Sequence, residues 1–355
     1  MEVFEVIMAG GGGTRFWPLS RIKKPKQLLN ISGNDIMLNE TILRMDGIVD
    51  RENVFIVTNR EQKKLMEELL INGIPFKNIL TEPVGRNTAP CILYAASMLQ
   101  KQKGDGVMCV FPADHHIADR KEYQRIIKRA VKTAEETACI VTIGIKPTFP
   151  STGYGYIKSS AQVSLEAKQV EKFVEKPSLE TAKEYVSSGL YTWNSGVFIF
   201  KISTILEAFQ RYLPDMKKQM ELIIDAAGTD REYEVLESIY PKLQSISIDY
   251  GIMEVSDNVL VLEGDFGWSD VGSLDELRTF YSADEAENIK IGNTLVIDSN
   301  GCIVKSESKL LTLIGVQDLI VVESEDAVLV CNKQKAQDVK KAVEMLKEQG
   351  QLQYL

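Results

Sequence analysis

The chain is organised around residues 9–27, which read Ala-Gly-Gly-Gly-Gly-Thr-Arg-Phe-Trp-Pro-Leu-Ser-Arg-Ile-Lys-Lys-Pro-Lys-Gln. A short apolar run, Val3–Met8, leads directly into the glycines, and four cations follow them: Arg15, Arg21, Lys24 and Lys26. Glycine has no Cβ, so such a loop lets an anion approach the backbone amides closely. A strand, a glycine loop and clustered cations together predict a phosphate-binding turn. A flexible glycine turn is the alternative that the glycines alone leave open.

Two common phosphate-binding motifs are absent from this stretch. No Gly-Lys-Ser/Thr closes the loop, so it is not a Walker A motif. It is not the dinucleotide fingerprint either, because Arg15 stands where a G-x-G-x-x-G pattern started at Gly10 needs its third glycine.

The composition narrows the class of partner. The 355 residues carry a net charge of -9, which argues against general nucleic-acid binding because no basic surplus faces a phosphate backbone. The five cysteines are scattered and form no C-x-x-C pair, which favours reduced thiols. The N-terminal apolar run is too short for a signal peptide or a membrane span. We therefore expect a cytoplasmic protein with no nucleic-acid or membrane partner.

Alternating apolar runs and amphipathic segments over residues 1–145 predict an α/β fold with a Rossmann-like, mostly parallel sheet flanked by helices. The pattern changes near residue 285. From Asn293 to Cys331 short apolar runs recur between turn residues, which predicts a small all-β module that resembles a β-solenoid and ends in the helix Ala336–Leu346. The expected division is a catalytic domain over 1–285 and the β module with its helix over 286–355.

Two aspartates follow apolar strands. Asp114 comes after the run ending at Phe111, and Asp270 lies in a loop rich in glycine and aspartate, before Ser273, a predicted helix cap. Magnesium prefers one or two carboxylates together with phosphate oxygens and water, so the pair is a candidate metal site. Helix capping or turn formation is the alternative for each aspartate. The only histidines, His115 and His116, are interpreted as residues that orient the loop.

Three further segments carry polar groups suited to a sugar phosphate or a nucleobase. In Glu175-Lys176-Pro177, an acid and a base facing different ways could bind hydroxyls and a phosphate, although a surface ion pair is the alternative. Asn194 offers a donor and an acceptor to hydroxyls. In Glu82–Pro90, helix capping explains Thr88 most simply and leaves Arg86 and Asn87 as candidate readers of a base edge.

Taken in order, these segments resemble the sugar-phosphate nucleotidyltransferases, and more narrowly the bacterial mannose-1-phosphate guanylyltransferases. The resemblance begins with Phe16-Trp17-Pro18-Leu19-Ser20-Arg21 and Lys24-Pro25-Lys26-Gln27. It continues through Glu82–Pro90, Phe111–Ile117, Gly153–Ile157, Phe173–Pro177, Trp193–Gly196 and Phe266–Ser273. It covers most of residues 1–280. It implies a GT-A-like nucleotidyltransferase fold and a C-terminal module similar to a left-handed β-helix.

The resemblance also implies roles for individual residues. Arg15, Lys26, Asp114 and Asp270 would be catalytic, and Asp114 and Asp270 would bind Mg²⁺ or a similar divalent cation. The nucleotide-binding set would be Ala9, Gly10, Gly11, Gly12, Gly13, Thr14, Arg15, Lys26, Glu82, Arg86, Asn87, Thr88 and Asp114. The sugar-phosphate-binding set would be Gly155, Glu175, Lys176 and Asn194.

The implied reaction transfers GMP from GTP to mannose 1-phosphate, with GTP as a substrate and a homodimer through the C-terminal module as a further expectation. Two alternatives remain at this point. One is a nucleotidyltransferase acting on another hexose 1-phosphate, and the other is a non-catalytic nucleotide-sugar sensor on the same fold.

Overall fold

The computed structural model describes residues 1–164 and 166–355. Its contacts divide the chain into two compact units, each built from separate stretches of sequence. The first unit contains Met1–Gly10, Thr41–Ala113 and Ile117–Trp268. The second contains Gly11–Glu40, Asp114–His116 and Ser269–Leu355. Three of the four loop glycines, Gly11 to Gly13, and both candidate metal ligands therefore belong to the same unit as the C-terminal residues.

The elements follow the order of the sequence. The strands are β1 Val3–Met8, β2 Val54–Asn59, β3 Ile79–Glu82, β4 Val107–Pro112, β5 His116–Ile117, β6 Ile140–Ile145, β7 Tyr156–Ser164, β8 Ala167–Val174, β9 Tyr191–Lys201, β10 Val259–Gly264, β11 Trp268–Ser269, β12 Ile289–Ile291, β13 Thr294–Ile297, β14 Ile303–Ser306, β15 Leu311–Ile314, β16 Leu319–Ser324 and β17 Ala327–Asn332. The α-helices are α1 Met37–Arg44, α2 Arg60–Leu69, α3 Thr88–Lys103, α4 Arg120–Thr137, α5 Leu179–Ser188, α6 Ile202–Tyr212, α7 Pro214–Ala226, α8 Glu232–Ile239 and α9 Val339–Glu348.

The first unit is built on a nine-stranded sheet in the order β3-β2-β1-β4-β9-β6-β10-β8-β7. Strands β3, β2, β1 and β4 pair in parallel, as the alternating pattern predicts. Strand β9 then inserts antiparallel to both β4 and β6, and β10, β8 and β7 also pair antiparallel. The sheet is therefore mixed, because the direction of a returning strand is not encoded in its apolar run.

Helix α3 covers the parallel half of this sheet. Its residues from Ala89 to Leu99 are all buried, and they pack in one apolar cluster with Phe4 and Val6 of β1. A helix with apolar residues on every side belongs in the interior of a layered domain. This burial fixes the start of α3, and with it the loop 82–88 that precedes the helix.

In the second unit, short parallel strands stack on one another. Strands β12, β14 and β16 form one parallel ladder, and β13 and β15 form another. Repeated parallel pairing of strands a dozen or more residues apart is typical of a β-solenoid. The predicted all-β module is confirmed.

Buried carboxylate Glu323 holds one turn of this module. Its carboxylate accepts hydrogen bonds from the amides of residues 307–309, at 3.0, 3.0 and 3.2 Å. The amide and hydroxyl of Ser308 lower the pKa of Glu323 to about 2. The ionised Glu323 side chain therefore holds this turn, and no sequence motif predicts that role.

Two local predictions are corrected. Residues Lys333–Asp338 form a 3₁₀ segment, so the final α-helix begins at Val339 and not at Ala336. The segment Leu274–Thr279 is also 3₁₀, and the Ser273 side chain makes no capping hydrogen bond to it.

All five cysteines are free thiols. Within the described residues, no helix combines the length and apolar character needed to cross a membrane.

Candidate active site

The glycine loop begins where β1 ends. Gly13 has φ 59°, and a Cβ on it would lie 2.3 Å from the Cβ of Lys26, so only glycine fits there. Two side chains fix the loop: the Ser20 hydroxyl donates to the Gly13 carbonyl at 2.7 Å, and the Gln27 amide donates to the Gly11 carbonyl at 3.0 Å. A Cβ on Gly11 or Gly12 would meet nothing within 4 Å. The carbonyls of Gly11 and Gly13 are thus held by side chains, while the space beside the Cα atoms of Gly11 and Gly12 is open.

Lys26 connects three separate stretches of the second unit. It lies in the 3₁₀ segment Lys26–Leu28 and is only 4% exposed. Its ammonium donates to the Asp114 carboxylate at 2.9 Å, to the Asp114 carbonyl at 3.0 Å and to the Asp270 carbonyl at 2.8 Å. The structure therefore brings Lys26, Asp114 and Asp270 together, as the sequence predicts for a common site.

The charges in this cluster stabilise ionised Asp114. Burial raises the pKa of Asp114, but Lys26 and His115 outweigh it, so the pKa lies below its usual range. Asp270 has an acidic neighbour that the sequence did not single out. Glu276 accepts from the Gly272 amide at 2.9 Å and from the Ser269 hydroxyl, and burial and the charge of Asp270 raise its pKa. Glu276 thus binds residues on both sides of Asp270 and holds that loop in place.

These residues surround one pocket of about 280 Å³. It is lined by Gly13, Thr14, Arg15, Phe16, Lys26, Asp114, His115, Asp270, Val271, Gly272 and Lys340. Every one of them belongs to the second unit. The combination of a glycine loop, three cations and two carboxylates suits an anionic ligand such as a polyphosphate.

The donor set of the pocket fits a magnesium ion. Asp114 and Asp270 supply two carboxylates, and the described residues hold no group of three or more His, Cys, Asp or Glu side chains arranged for a metal. Magnesium binds through one or two carboxylates and takes its remaining oxygens from phosphate and water. A site of this kind would be completed only when a phosphate ligand is present.

The first unit brings together the four predicted sugar-phosphate residues. A Cβ on Gly155 would lie 2.6 Å from a carboxylate oxygen of Glu175 and 3.3 Å from the Cβ of Asn194. The Asn194 backbone amide donates to the Gly155 carbonyl at 2.8 Å. Gly155 is therefore required by the close approach of its neighbours. The Glu175 amide donates to Glu254, which anchors the end of β8.

Lys176 corrects one prediction. The sequence suggested that Glu175 and Lys176 face different ways, but the Lys176 ammonium donates to the Glu175 carboxylate at 2.6 Å. The cause is a left-handed backbone at Lys176, with φ 45°, which breaks the alternation expected of a strand. A non-glycine residue held in this region is strained, and such strain is often found at functional sites. The pair is only partly exposed, because the Glu175 side chain is 8% exposed.

Glu82 lies beside the start of the glycine loop within the first unit. A Cβ on Gly10 would approach a Glu82 carboxylate oxygen to 3.3 Å, and the Tyr240 hydroxyl donates to the other oxygen. Burial raises the pKa of Glu82 to about 7. Tyr240 is a buried partner that the sequence analysis did not identify, since it lies 158 residues away.

The segment 86–88 is held by structural hydrogen bonds. The Arg86 guanidinium donates to the carbonyl of Pro241. Asn87, not Thr88, caps α3: its side-chain oxygen accepts from the Thr88 amide at 2.9 Å. The Thr88 hydroxyl instead accepts from the Ile248 amide at 2.8 Å, so the predicted Thr88 cap is wrong. A positive φ at Asn87 shifts the helix start by one residue.

Comparison with known proteins adds to this geometry. The family profile described as nucleotidyl transferase matches residues 4–287, and the profile described as MannoseP isomerase/GMP-like beta-helix domain matches residues 292–346. The chain is 39% identical to the mannose-1-phosphate guanylyltransferase of Escherichia coli (strain K12), an alignment that covers 98% of this chain and 74% of the relative. It is also 39% identical to that of Klebsiella pneumoniae, covering 98% of this chain and 75% of the relative.

The chain belongs to the mannose-1-phosphate guanylyltransferase family of nucleotidyl transferases.

A solved structure supports this assignment across both units of this family member. The Thermus thermophilus protein described as mannose-1-phosphate geranyltransferase is 35% identical to it and superposes with a TM-score of 0.88. The match covers 98% of this chain and 100% of that one. The nucleotidyltransferase fold and the β-helix-like module inferred from the resemblance are confirmed.

In this member of the family, Asp249 extends the sugar-phosphate cluster. It opens the π-helical turn Asp249–Met253, a backbone form often found at functional sites. The Asn194 side chain donates to Asp249 at 3.0 Å, and its oxygen accepts from the Gly196 amide at 3.1 Å and the Thr142 hydroxyl at 3.2 Å. Burial and the charge of Glu175 raise the pKa of Asp249 to about 6. Asp249 therefore fixes which way the Asn194 amide points.

An aromatic group lies next to the same cluster. Trp193 and Tyr154, the neighbours of Asn194 and Gly155 in the sequence, meet edge to face with ring centroids 5.0 Å apart. Trp268 and Phe149 extend the group, at 5.2 Å from Tyr154 and 4.9 Å from Trp193. The Trp193 and Tyr154 rings come from segments that the sequence analysis quoted for their polar residues alone. Trp193 is buried, so its part in this contact belongs to the packing of the first unit.

Proposed function

We propose that this protein transfers GMP from GTP to α-D-mannose 1-phosphate, forming GDP-mannose and pyrophosphate. The observation that carries the proposal is the Lys26 cluster, in which one buried ammonium contacts Asp114 and the backbone of Asp270 beside an open glycine loop. Relatives that align over 98% of this chain are named mannose-1-phosphate guanylyltransferases, which favours these substrates over other pairs.

The proposed reaction is an in-line displacement at phosphorus. A phosphate oxygen of mannose 1-phosphate forms a bond to the α-phosphorus of GTP, and the bond from that phosphorus to the oxygen bridging to the β-phosphate breaks. Pyrophosphate leaves with the electron pair of that bond. The second pKa of a phosphate monoester is near 6, so the attacking oxygen is already ionised at neutral pH. Positioning and charge neutralisation, and not acid–base catalysis, would therefore supply the rate enhancement.

The second unit would bind the triphosphate. Arg15 and Lys26, which line the pocket, would contact its phosphate oxygens together with the backbone of the exposed residues Gly11 and Gly12. Asp114 and Asp270 would hold Mg²⁺, which when bound neutralises phosphate charge and polarises the reacting phosphorus. Because Lys26 also holds Asp114 by an ion pair, it would keep that carboxylate ionised and in place as a ligand.

The first unit would bind the sugar phosphate and the nucleobase. Glu175 and Asn194 would accept and donate hydrogen bonds to hexose hydroxyls. The Lys176 ammonium would exchange part of its contact with Glu175 for the sugar phosphate. Glu82, when ionised, would accept hydrogen bonds from the guanine edge, while Arg86, Asn87 and Thr88 would hold the loop in shape.

The direct test is a matrix of four nucleoside triphosphates against mannose, glucose and fucose 1-phosphates, followed by pyrophosphate release. We expect the GTP and mannose 1-phosphate pair to exceed every other by about 100-fold in kcat/KM. A clear preference for another hexose 1-phosphate would replace the named sugar. No pyrophosphate release from any pair would favour a nucleotide-sugar sensor.

The metal assignment is tested by Asp270→Asn, with Asp265→Asn as a matched control from an exposed position near the same loop. We expect Asp270→Asn to raise the Mg²⁺ concentration needed for half-maximal activity by about tenfold or more, because a neutral amide is a weaker ligand than a carboxylate. Asp265→Asn should leave the magnesium titration unchanged. Identical titrations for both variants would remove Asp270 from the metal site.

A further inference from the structure

The pocket of about 280 Å³ around Arg15, Lys26 and Asp114 is named the phosphate pocket, and among the described residues that line it Lys340 is the cation without a proposed role. It is the second residue of helix α9, in the C-terminal module, and it lines the same pocket as Arg15, Lys26 and Asp114. The motifs that suggested the other site residues all lie within residues 1–280. Lys340 therefore reaches the pocket only because the second unit folds as it does.

The packing of α9 explains why Lys340 reaches this pocket. Val339, the residue before it, is 4% exposed and belongs to one apolar cluster with Phe16 and Leu19. Helix α9 also packs against the 3₁₀ turn Thr14–Phe16, which carries Arg15. An exposed lysine next to a residue anchored in this way is held near Arg15, while its side chain stays accessible to a ligand.

The charge of Lys340 helps to lower the pKa of the neighbouring carboxylate Asp338, but the effects of Lys341 and Lys335 on that carboxylate are larger. The neighbouring carboxylate Asp338 contacts Lys341 at 2.9 Å and lies 3.9 Å from Lys335. Among the residues that the structure describes, neither Arg15 nor Lys340 has a carboxylate within the 4.0 Å of an ion pair. Lys26, in contrast, is paired with Asp114 at 2.9 Å. Arg15 and Lys340 are therefore the cations best able to exchange water for phosphate oxygens.

The charge balance of the pocket depends on Lys340. Apart from His115, three cations face the two carboxylates of Asp114 and Asp270, so these five side chains carry one net positive charge. Without Lys340 the other four would sum to zero. The β- and γ-phosphates carry most of the negative charge of a nucleoside triphosphate, so they gain most from this cation.

We propose that Lys340 is a substrate-binding residue that contacts the β- and γ-phosphates of the nucleotide, the group that leaves as pyrophosphate. The assignment rests on the proposed function for the identity of the nucleotide, but its chemistry requires only a polyphosphate in this pocket. It makes the C-terminal module a direct part of the phosphate site.

The test is calorimetric binding of inorganic pyrophosphate, with Mg²⁺, to the full-length protein. The variants are Lys340→Ala, Lys340→Arg and Lys341→Ala, the last being a matched control one residue along the same helix. Loss of a charge-assisted hydrogen bond predicts a Kd raised by about tenfold or more in Lys340→Ala. Arginine keeps the charge and should restore affinity to within about threefold. The control should bind within about twofold of the wild type, and all melting temperatures should agree within about 2 °C.

Turnover assays give a second readout. Lys340→Ala should raise the KM for GTP by a similar factor and leave the KM for the sugar phosphate unchanged. A Lys340→Ala protein that binds pyrophosphate like the wild type would overturn the proposal, as would an equal loss in Lys341→Ala. If the wild type binds no pyrophosphate, the proposal also fails. A loss of pyrophosphate affinity in Lys340→Ala, combined with turnover of other substrates, would replace the named substrates and leave the role of Lys340 standing.

Discussion

Replacement of Lys26 by methionine separates the structural and the chemical roles of this residue. Methionine has a similar length and fills most of the same volume, so it leaves little cavity but removes the charge and all donors. The ammonium of Lys26 serves three acceptors: the Asp114 carboxylate, the Asp114 carbonyl and the Asp270 carbonyl. Each of them loses its partner in Lys26→Met.

The expected cost to stability can be estimated contact by contact. An acceptor left without its hydrogen bond costs about 1–3 kcal/mol when buried, and the two carbonyls affected here are part-buried. The Asp114 side chain is 36% exposed, so water replaces part of its lost ion pair and its contribution is small. We expect the free energy of unfolding to fall by about 3 kcal/mol. The pKa of Asp114 should rise at the same time, because burial raises it and the variant has no ammonium to oppose that effect.

The expected chemical effect is larger than the structural one would produce alone. Loss of a positive charge aimed at the reacting phosphates typically reduces kcat by about 100-fold or more. Turnover is measured by pyrophosphate release at saturating substrates, and stability by urea denaturation of the same preparations. Lys23→Met, at an exposed lysine on the same loop, is the matched control and should change neither quantity measurably.

The double variant Lys26→Met/Asp114→Asn tests the pairing itself. Asparagine removes the carboxylate that Lys26→Met leaves unpaired. The double variant should therefore lose less free energy of unfolding than the two single variants lose together. An unchanged free energy of unfolding in Lys26→Met would refute the contribution of these three hydrogen bonds to stability. Turnover within about fivefold of the wild type would instead remove Lys26 from the chemistry, whatever the stability result.

Two further variants probe the first unit. Burial raises the pKa of Glu82 to about 7, so the folded chain binds a proton that an unfolded glutamate releases near pH 4.3. The stability that this provides is present at low pH and is lost as the pH rises from about 4.3 through 7, and Glu82→Gln should flatten that fall in melting temperature. A slope identical to that of the wild type would contradict the burial of Glu82. Asp249→Ala should raise the KM for the sugar phosphate by about tenfold, because the Asn194 amide loses the acceptor that orients it. The KM for GTP should stay within about twofold, and an equal change in both would point to general disruption.

The sequence predicted the parallel half of the sheet well, for a physical reason. Strands β1, β2 and β4 are short apolar runs bounded by polar or glycine residues, and their burial on both faces leaves no room for alternation. The antiparallel half was not predicted, because the direction of β9 depends on where its chain returns to the sheet. A local pattern carries no information about that direction.

The same limit applies to the site. Lys26, Asp114 and Asp270 were found because each stands in a short segment with its own chemical signature, and the fold brings the three together. Asp249 and Lys340 stand in segments whose sequence has no such signature, a π-helical turn and an amphipathic helix. Their roles follow only from what the fold places beside them. The contact between Lys176 and Glu175 was only the alternative that the sequence left open, because it depends on one backbone angle.

The segment after the glycine loop and the C-terminal module fold together in the second unit. Phe16 and Leu19, which follow the glycine loop, share one apolar cluster with Val322 and Leu329 of the β module and with Val339 of α9. The backbone that positions Arg15 is therefore held by burial against residues from the far end of the chain. Removing apolar partners from Phe16 would expose it and weaken the turn Thr14–Phe16, which has backbone hydrogen bonds but no side-chain cap. The β module and α9 therefore pack against the turn that carries Arg15, and Lys340 of α9 also adds a charge to the phosphate pocket.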